Sequence, residues 1–276
     1  GGMGRTFDGG YAEYTCVPAS QVIPFDSPLD WATLGAVPEM LQTAYGSLTI
    51  GLDVQSGQSL LIRGGTSAVG MAAAVLAKER GLTVLATTRR PDRTAALTAI
   101  GVDYVIVDDG DIAAQVRAII PAGVDTALEL VGTPTLPDTL RATAIHGVVC
   151  FTGMLSNQWT VRNFYPIAYL PRGVRLTAYS DDASDLPATV LPSFLDAVAA
   201  GQMASGTLAR STGRVRVVTA LCALAPPLLV QRGWRPSVGR DLAGLGPRSS
   251  VERLVRRRPH RRPVESPRPA CFPGRF

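Results

Sequence analysis

A regular alternation of short apolar segments and helical segments, beginning near residue 58, constrains the fold of this chain more than any other feature. Six apolar segments are predicted strands, at 60–62, 83–88, 104–107, 124–131, 148–152 and 174–179. Helices are predicted at 69–80, 91–101, 112–120, 136–144 and 184–200. Parallel strands need crossover connections, and the crossover helices then cover both faces of the sheet. The pattern therefore predicts an α/β fold with a doubly wound parallel sheet.

The residues that precede this alternation predict only short elements. Gly9 and Gly10 form a turn that leads into a short strand at 11–17. Asp30 is predicted to cap one helix, and Pro38 to begin another, because proline suits the first helical turn.

The distribution of charge divides the chain into a body and a tail. Residues 1–202 hold 12 basic and 19 acidic side chains, whereas residues 203–276 hold 15 basic and 3 acidic ones. Hydrophobic residues make up 46% of the chain and charged residues 18%, which excludes global disorder. We therefore look for chemistry in the acidic body.

The arginine- and proline-rich tail, residues 203–276, has three interpretations. The first is disorder without function, because proline and like charges oppose a packed core. Alternatively, arginines such as Arg256, Arg257 and Arg258 form an arm that binds nucleic acid or another anionic surface. The third interpretation is a shifted reading frame near residue 203, because an out-of-frame GC-rich gene encodes such a composition without periodicity.

A glycine-rich turn joins the first predicted strand to its helix. Glycine lets a backbone approach a pyrophosphate closely, and Gly70 would let the helix pack against the strand. A helix N-terminus also offers unpaired N–H groups and a partial positive charge. Ala68 stands where many dinucleotide folds have glycine, and a purely structural turn is the alternative. The predicted cofactor-binding residues here are Gly65, Thr66, Ser67, Ala68, Val69 and Gly70.

The end of the second predicted strand indicates which dinucleotide is bound. Folds that prefer NAD place Asp or Glu there, where the carboxylate accepts hydrogen bonds from the ribose. This chain has no carboxylate there until Asp92. The hydroxyl of Thr88 and the guanidinium of Arg89 suit a 2′-phosphate instead, so we predict a preference for NADP(H). The alternative is that Arg89 and Arg90 are solvated charges at a helix start.

Several segments resemble the medium-chain dehydrogenase/reductase superfamily. Residues 7–14 (FDGGYAEY) resemble a strand of its GroES-like domain, and residues 34–45 (LGAVPEMLQTAY) resemble the segment that joins this domain to the cofactor domain. Residues 64–70 and 87–89 look like its zinc-independent, NADPH-dependent quinone reductase branch. The resemblance implies a partial GroES-like catalytic domain at 1–45, with a Rossmann dinucleotide-binding domain following it at 46–202.

Two further segments resemble the strand ends that line the nicotinamide in that branch. These are residues 129–132 (ELVG) and 151–155 (FTGML). The resemblance implies that Thr43 lies near the reactive end of the nicotinamide ring. The residues that it places against the ring are Val131, Gly153, Met154 and Leu155.

The function that the resemblance implies is NADPH-dependent hydride transfer to a quinone, an enone or a related carbonyl, without zinc. The partner is then a small-molecule substrate, a homodimer is compatible with the resemblance, and nucleic acid would concern only the basic tail. The resemblance also implies that the sequence opens inside the GroES-like domain. A catalytically inactive nucleotide-binding fragment, or a zinc-type alcohol dehydrogenase whose metal ligands lie outside this chain, therefore stays open.

Other sequence features restrict the remaining classes of function. The four cysteines lie far apart and form no CxxC pair, which favours reduced thiols in a cytoplasm over a disulfide or zinc framework. No apolar run approaches the roughly 20 residues that span a bilayer. Lys78, the only lysine, has Ala74 four positions earlier, so the Tyr-x-x-x-Lys pair of short-chain dehydrogenases is absent. The acidic turn at 108–111 is interpreted as a helix cap, with metal binding as the alternative.

Overall fold

Six parallel strands form the centre of the structure, a computed structural model that describes residues 16–180 and 182–201. The strands are β1 (Ser59–Arg63), β2 (Thr83–Thr88), β3 (Tyr104–Val107), β4 (Val124–Glu129), β5 (Thr143–Phe151) and β6 (Arg175–Ala178). Their order in the sheet is β3-β2-β1-β4-β5-β6, and every neighbouring pair is parallel. The order reverses between β1 and β4, as in a Rossmann fold. The predicted doubly wound sheet is confirmed.

Helices cover both faces of this sheet. They are α1 (Trp31–Gly46), α2 (Ala68–Glu79), α3 (Thr94–Ala99), α4 (Ala113–Ile119), α5 (Leu136–Ala142), α6 (Pro166–Tyr169) and α7 (Val190–Ala199). Successive strand residues point to opposite faces, so β1 contributes to two cores. Leu60 and Ile62 pack into one core with α1, α2 and α7, whereas Leu61 packs into the other with α4 and α5.

A single helix, α1, lies where two helices were predicted. Asp30 begins it as expected, because its carboxylate accepts hydrogen bonds from the backbone N–H groups of Ala32 at 2.9 Å and Thr33 at 3.1 Å. Pro38 lies inside this helix instead of starting a second one. Val37 and Leu41 on either side of the proline are buried. Core packing of these side chains compensates for the backbone hydrogen bond that proline removes.

Strand β5 begins earlier than predicted. Its first residue, Thr143, pairs with Val124, but the next pair in register is Thr126 with Val148. The extra residues form a bulge in which His146 has a φ of 70°. His146, at positive φ, and the following Gly147 interrupt the apolar pattern there. The sequence therefore does not show where the strand begins.

Some predictions fall outside the described residues. These include the tail at 203–276 and all but the last two residues of the predicted strand at 11–17. The domain ranges 1–45 and 46–202 stay predictions. Among the described helices, none is both long and apolar enough to cross a membrane.

Candidate cofactor-binding site

The turn between β1 and α2 lies at the carboxyl end of the central strand, next to the point where the strand order reverses. Gly64 has a φ of 91°, a conformation that side chains other than glycine rarely adopt. Its N–H donates to Thr87 Oγ1 at 3.0 Å, and the N–H of Gly65 donates to the carbonyl of Thr87 at 3.0 Å. The end of β2 therefore holds this turn in place.

Close backbone packing explains two of the glycines in the turn. A Cβ added at Gly70 would lie 2.5 Å from the carbonyl oxygen of Gly64 and 2.9 Å from the Cα of Gly65. A Cβ added at Gly65 would lie 2.8 Å from the Cβ of Ala86 on β2. Glycine at these positions lets α2 start directly against the turn, as predicted for Gly70.

The N-terminus of α2 presents a group of backbone donors. The hydroxyl of Ser67 accepts the N–H of Gly70 at 3.0 Å, so this helix has a serine cap. The N–H groups of Thr66, Ala68 and Val69 make no hydrogen bond to any described residue. Three free donors beside a helix N-terminus fit the oxygens of a pyrophosphate.

The residues at and after the end of β2 differ in the hydrogen bonds and ion pairs that they make within the protein. The hydroxyl of Thr88 is buried and exchanges hydrogen bonds with the backbone N–H and carbonyl of Arg90, at 3.1 and 3.2 Å. The Arg90 side chain forms an ion pair with Asp92, with a distance of 2.6 Å between Nη2 and Oδ2. Arg89 is exposed and makes no ion pair in the described part of the chain. No carboxylate among the described residues competes for its guanidinium.

The segments after β4 and β5 pack beside the turn. The N–H of Leu155 donates to the carbonyl of Leu130 at 3.1 Å, which ties the two segments together. A Cβ added at Gly64 would lie within 3.4 Å of the Leu130, Val131 and Leu155 side chains. Gly153 is packed so closely that an added Cβ would lie 2.6 Å from the carbonyl oxygen of Leu130. The structure thus places Val131, Gly153 and Leu155 at one edge of the turn.

Met154 and Thr43 are placed less directly. Met154 lies in the same tight segment, between Gly153 and Leu155. Thr43 lies on α1, and its carbonyl accepts the hydroxyl of Ser47 at 2.7 Å. That hydroxyl is also 3.0 Å from the hydroxyl of Thr152, the residue before Gly153. A pair of side-chain hydroxyls therefore connects the helix of Thr43 to the end of β5.

Part of the chain is similar to known proteins. Residues 68–192 match the family described as zinc-binding dehydrogenase. A probable quinone oxidoreductase from Leishmania amazonensis is 29% identical over 151 residues, which cover 54% of this chain and 44% of that protein. The chain spans less than half the length of the curated relatives that it matches.

Solved structures share the fold of the described residues. An NAD-dependent alcohol dehydrogenase superposes with a TM-score of 0.62 at 24% identity, covering 73% of this chain and 57% of that one. Mycobacterial Rv1454c in complex with NADPH superposes with a TM-score of 0.54 at 20% identity, covering 67% of this chain and 61% of that one. Over residues 68–192 the chain is therefore similar to the zinc-binding dehydrogenase family. It is also similar in sequence to quinone oxidoreductases.

A fully buried arginine lies directly before the glycine turn. Arg63 Nε and Nη2 donate to Asp108 at 2.7 and 2.9 Å, and Nη1 donates to Asp138. We call Arg63, Asp108 and Asp138 the ionic cluster. Burial lowers the pKa of Arg63, but hydrogen bonds and attraction to the two carboxylates outweigh burial, so the pKa is raised. The guanidinium is therefore charged.

The ionic cluster corrects the interpretation of the acidic turn at 108–111. Asp138, on α5, accepts the backbone N–H of Ile112 at 2.8 Å, at the start of α4. The cap of this helix therefore comes from another element, and Asp108 is used by Arg63. Among the described residues, no group of three His, Cys, Asp or Glu side chains could hold a metal ion.

A second buried group lies at the end of β4. Glu129 Oε1 accepts the backbone N–H groups of Val131 and Gly132 at 2.8 and 2.9 Å, and also the hydroxyl of Thr135 at 2.9 Å. Its Oε2 accepts the hydroxyl of Thr139 at 2.6 Å. We call Glu129, Thr135 and Thr139 the hydroxyl cluster. Burial raises the pKa of Glu129, and the hydrogen bonds offset this only in part.

Sequence reasoning assigned no role to either cluster. A signal for Arg63 does exist, because an arginine that directly follows three apolar residues of a central strand must find buried carboxylates. The signal for Glu129 is weaker. Thr135 and Thr139 follow Glu129 by 6 and 10 positions, and this spacing belongs to no established local motif.

Proposed function

We propose that this chain is an NADPH-dependent oxidoreductase that transfers a hydride to a quinone, an enone or a related carbonyl. The observation that carries the proposal is the arrangement at the ends of β1 and β2. Three backbone N–H groups at Thr66, Ala68 and Val69, at the start of α2, make no hydrogen bond to a described residue, and Arg89 is an exposed cation without an ion pair in the described part of the chain. No carboxylate follows β2 until Asp92, which Arg90 holds.

Each group would have a separate task toward NADPH. The free N–H groups at the start of α2 would bind the pyrophosphate, and Arg89, next to Thr88, would bind the 2′-phosphate. Val131, Gly153 and Leu155 would orient the nicotinamide and exclude water from it. Bound NADPH would supply the hydride, whereas the protein supplies orientation and a dry surface.

The named relatives support the class of substrate more than they support the choice of cofactor. One relative is named a probable quinone oxidoreductase, which supports a quinone or a similar acceptor. One structural neighbour was solved with NADPH and another is named NAD-dependent, so the preference for NADPH depends on the Arg89 chemistry. Independence from zinc follows from the resemblance to quinone reductases. Metal analysis of the purified chain, with activity measured before and after a chelator, tests it.

The two neighbouring arginines provide a matched test of the cofactor preference. We expect Arg89→Ala to weaken NADPH binding about tenfold, because it removes charge-assisted hydrogen bonds to the 2′-phosphate. NADH binding should not change. Arg90→Ala is the control, since Asp92 already pairs with that side chain. Isothermal titration with both cofactors measures all three proteins, and equal affinity of the unmodified chain for NADPH and NADH would refute the assignment.

A second candidate is a nucleotide-binding chain without turnover. Such a chain would bind NADPH at the same turn without oxidising it. An assay of NADPH oxidation with a simple quinone separates the two. Cofactor binding with no oxidation above the rate without protein would support the inactive fragment.

A further inference from the structure

Glu129 contacts both of the segments that carry the predicted nicotinamide residues. Its carboxylate accepts the backbone N–H groups of Val131 and Gly132 at 2.8 and 2.9 Å. Its own carbonyl oxygen accepts the N–H groups of Thr152 and Gly153, each at 3.0 Å. Glu129 is fully buried, and its hydrogen bonds hold the backbone at Val131 and at Gly153. These two predicted contact positions lie in different segments.

Other hydrogen bonds also hold these two segments, because the N–H of Leu130 donates to the carbonyl of Arg63 at 3.1 Å and the hydroxyls of Thr152 and Ser47 are 3.0 Å apart. Between them, the N–H groups of Leu155 and Ser156 donate to the carbonyls of Leu130 and Val131, at 3.1 and 2.8 Å. The bonds from Leu155 and Ser156 connect the two segments to each other, whereas Glu129 accepts N–H groups from both segments. Leu155 is 64% exposed, so packing contributes little to holding its segment in place.

We propose that Glu129 is a positioning residue for the nicotinamide half of the dinucleotide. Its carboxylate holds the backbone of Val131 and Gly132 so that Val131 lies beside Gly64, where the turn begins. The adenosine half does not depend on Glu129, because its predicted contacts follow β1 and β2. This inference rests on the proposed function.

A carboxylate is suited to this task because it accepts several hydrogen bonds at once. Glutamine keeps one carbonyl oxygen, which can still accept the N–H groups of Val131 and Gly132 and the hydroxyl of Thr135. Alanine leaves all these donors buried without an acceptor. Glu129→Gln should therefore keep the backbone of Val131 and Gly132 in place, whereas Glu129→Ala should not.

The experiment compares two ligands that share the adenosine half. NADPH contains the nicotinamide, whereas 2′,5′-ADP lacks it. We expect Glu129→Ala to weaken NADPH binding about tenfold while the affinity for 2′,5′-ADP stays within about twofold. Glu129→Gln should restore most of the NADPH affinity. The fluorescence of bound NADPH should change in Glu129→Ala, because the environment of its ring changes.

Two additional variants separate positioning from a general loss of structure. Leu140→Ala removes a fully buried side chain from α5 without touching the carboxylate, so both affinities should stay unchanged in the folded protein. Thr139→Val removes one hydroxyl donor to Oε2 and is the mild variant if Glu129→Ala does not fold. It should weaken NADPH binding by about twofold, again without affecting 2′,5′-ADP.

The outcomes are distinguishable. If Glu129→Ala, or Thr139→Val in its place, weakens both ligands equally or weakens neither, the inference is wrong while the proposed function stands. If the unmodified chain binds 2′,5′-ADP and NADPH with the same affinity, the nicotinamide makes no contact and the inference is again wrong. If the unmodified chain binds neither ligand, the proposed function fails together with the inference.

Discussion

The ionic cluster and the hydroxyl cluster hold two neighbouring strand ends in different ways, since Arg63 on β1 is the register partner of Glu129 on β4. In the ionic cluster, Arg63 pairs with carboxylates 45 and 75 positions further along the chain. In the hydroxyl cluster, Glu129 takes all its side-chain partners from the next ten residues. The first therefore connects distant elements through charge, whereas the second shapes one local turn. We expect global stability to depend on the first and nicotinamide positioning on the second.

The largest expected effect comes from breaking the ionic cluster. Arg63→Met leaves Asp108 without its cation and Asp138 with only the exposed Arg141, 3.1 Å away, which should lower the free energy of unfolding by about 3–5 kcal/mol. Urea unfolding of the full chain at neutral pH measures it. Adding Asp108→Asn to Arg63→Met should recover part of the loss, because one unpaired charge is then removed. A loss below about 1 kcal/mol for Arg63→Met would contradict the central role of this cluster.

A smaller effect on stability, with a larger effect on binding, is expected at the glycine turn between β1 and α2. Gly70→Ala places a Cβ against the carbonyl of Gly64 and should lower the free energy of unfolding by about 1–3 kcal/mol. It should also abolish measurable NADPH binding, since the turn must move. Gly57→Ala is the control: it has a φ of 86° and open space around the added Cβ, so it strains the backbone away from the site. It should lower stability and leave NADPH binding unchanged.

The two clusters should respond to pH with opposite signs. The pKa of Glu129 is raised above its ordinary value of 4.5, so its contribution is fully present below that pH and is lost as pH rises. Burial alone would raise the pKa of Asp138, but the Ile112 N–H and Arg63 outweigh it, and the pKa lies below its ordinary value of 3.8. Its contribution is therefore present above that pH and is lost as pH falls.

Unfolding of two variants across pH separates these contributions. Relative to the unmodified chain, Glu129→Gln should become progressively more stable as pH rises from 4.5. Asp138→Asn should instead lose its disadvantage as pH falls below 3.8. Parallel pH profiles for the two variants would show that the clusters do not differ electrostatically.

The smallest expected effect concerns a hydroxyl near the hydroxyl cluster. The Tyr169 hydroxyl is buried and has no hydrogen-bond partner among the described residues. Burial raises its pKa, and the charge of Glu129 adds to this. Removing an unsatisfied buried hydroxyl is favourable, so Tyr169→Phe should raise the free energy of unfolding by about 1 kcal/mol. A loss of stability in thermal unfolding would mean that the hydroxyl has a partner in solution.

Much of the fold was predictable because its determinants are local. Strands β2 and β3 lie where the apolar runs predicted them, and α2 ends at a glycine with positive φ, Gly81. The prediction failed where packing overrode a local signal. Pro38 continues α1 because buried neighbours hold the helix together, and β5 extends back through a bulge that its sequence does not reveal.

By itself, the sequence determined the parallel sheet, the glycine turn after β1 and the absence of a carboxylate directly after β2, because each depends on residues adjacent in the chain. Only the tertiary structure decided that Arg63 neutralises Asp108 and Asp138, which lie on other elements. The physical reason is distance. A hydrogen bond or an ion pair between residues far apart in the chain forms only after the strands have aligned, and no local pattern specifies which donor meets which acceptor.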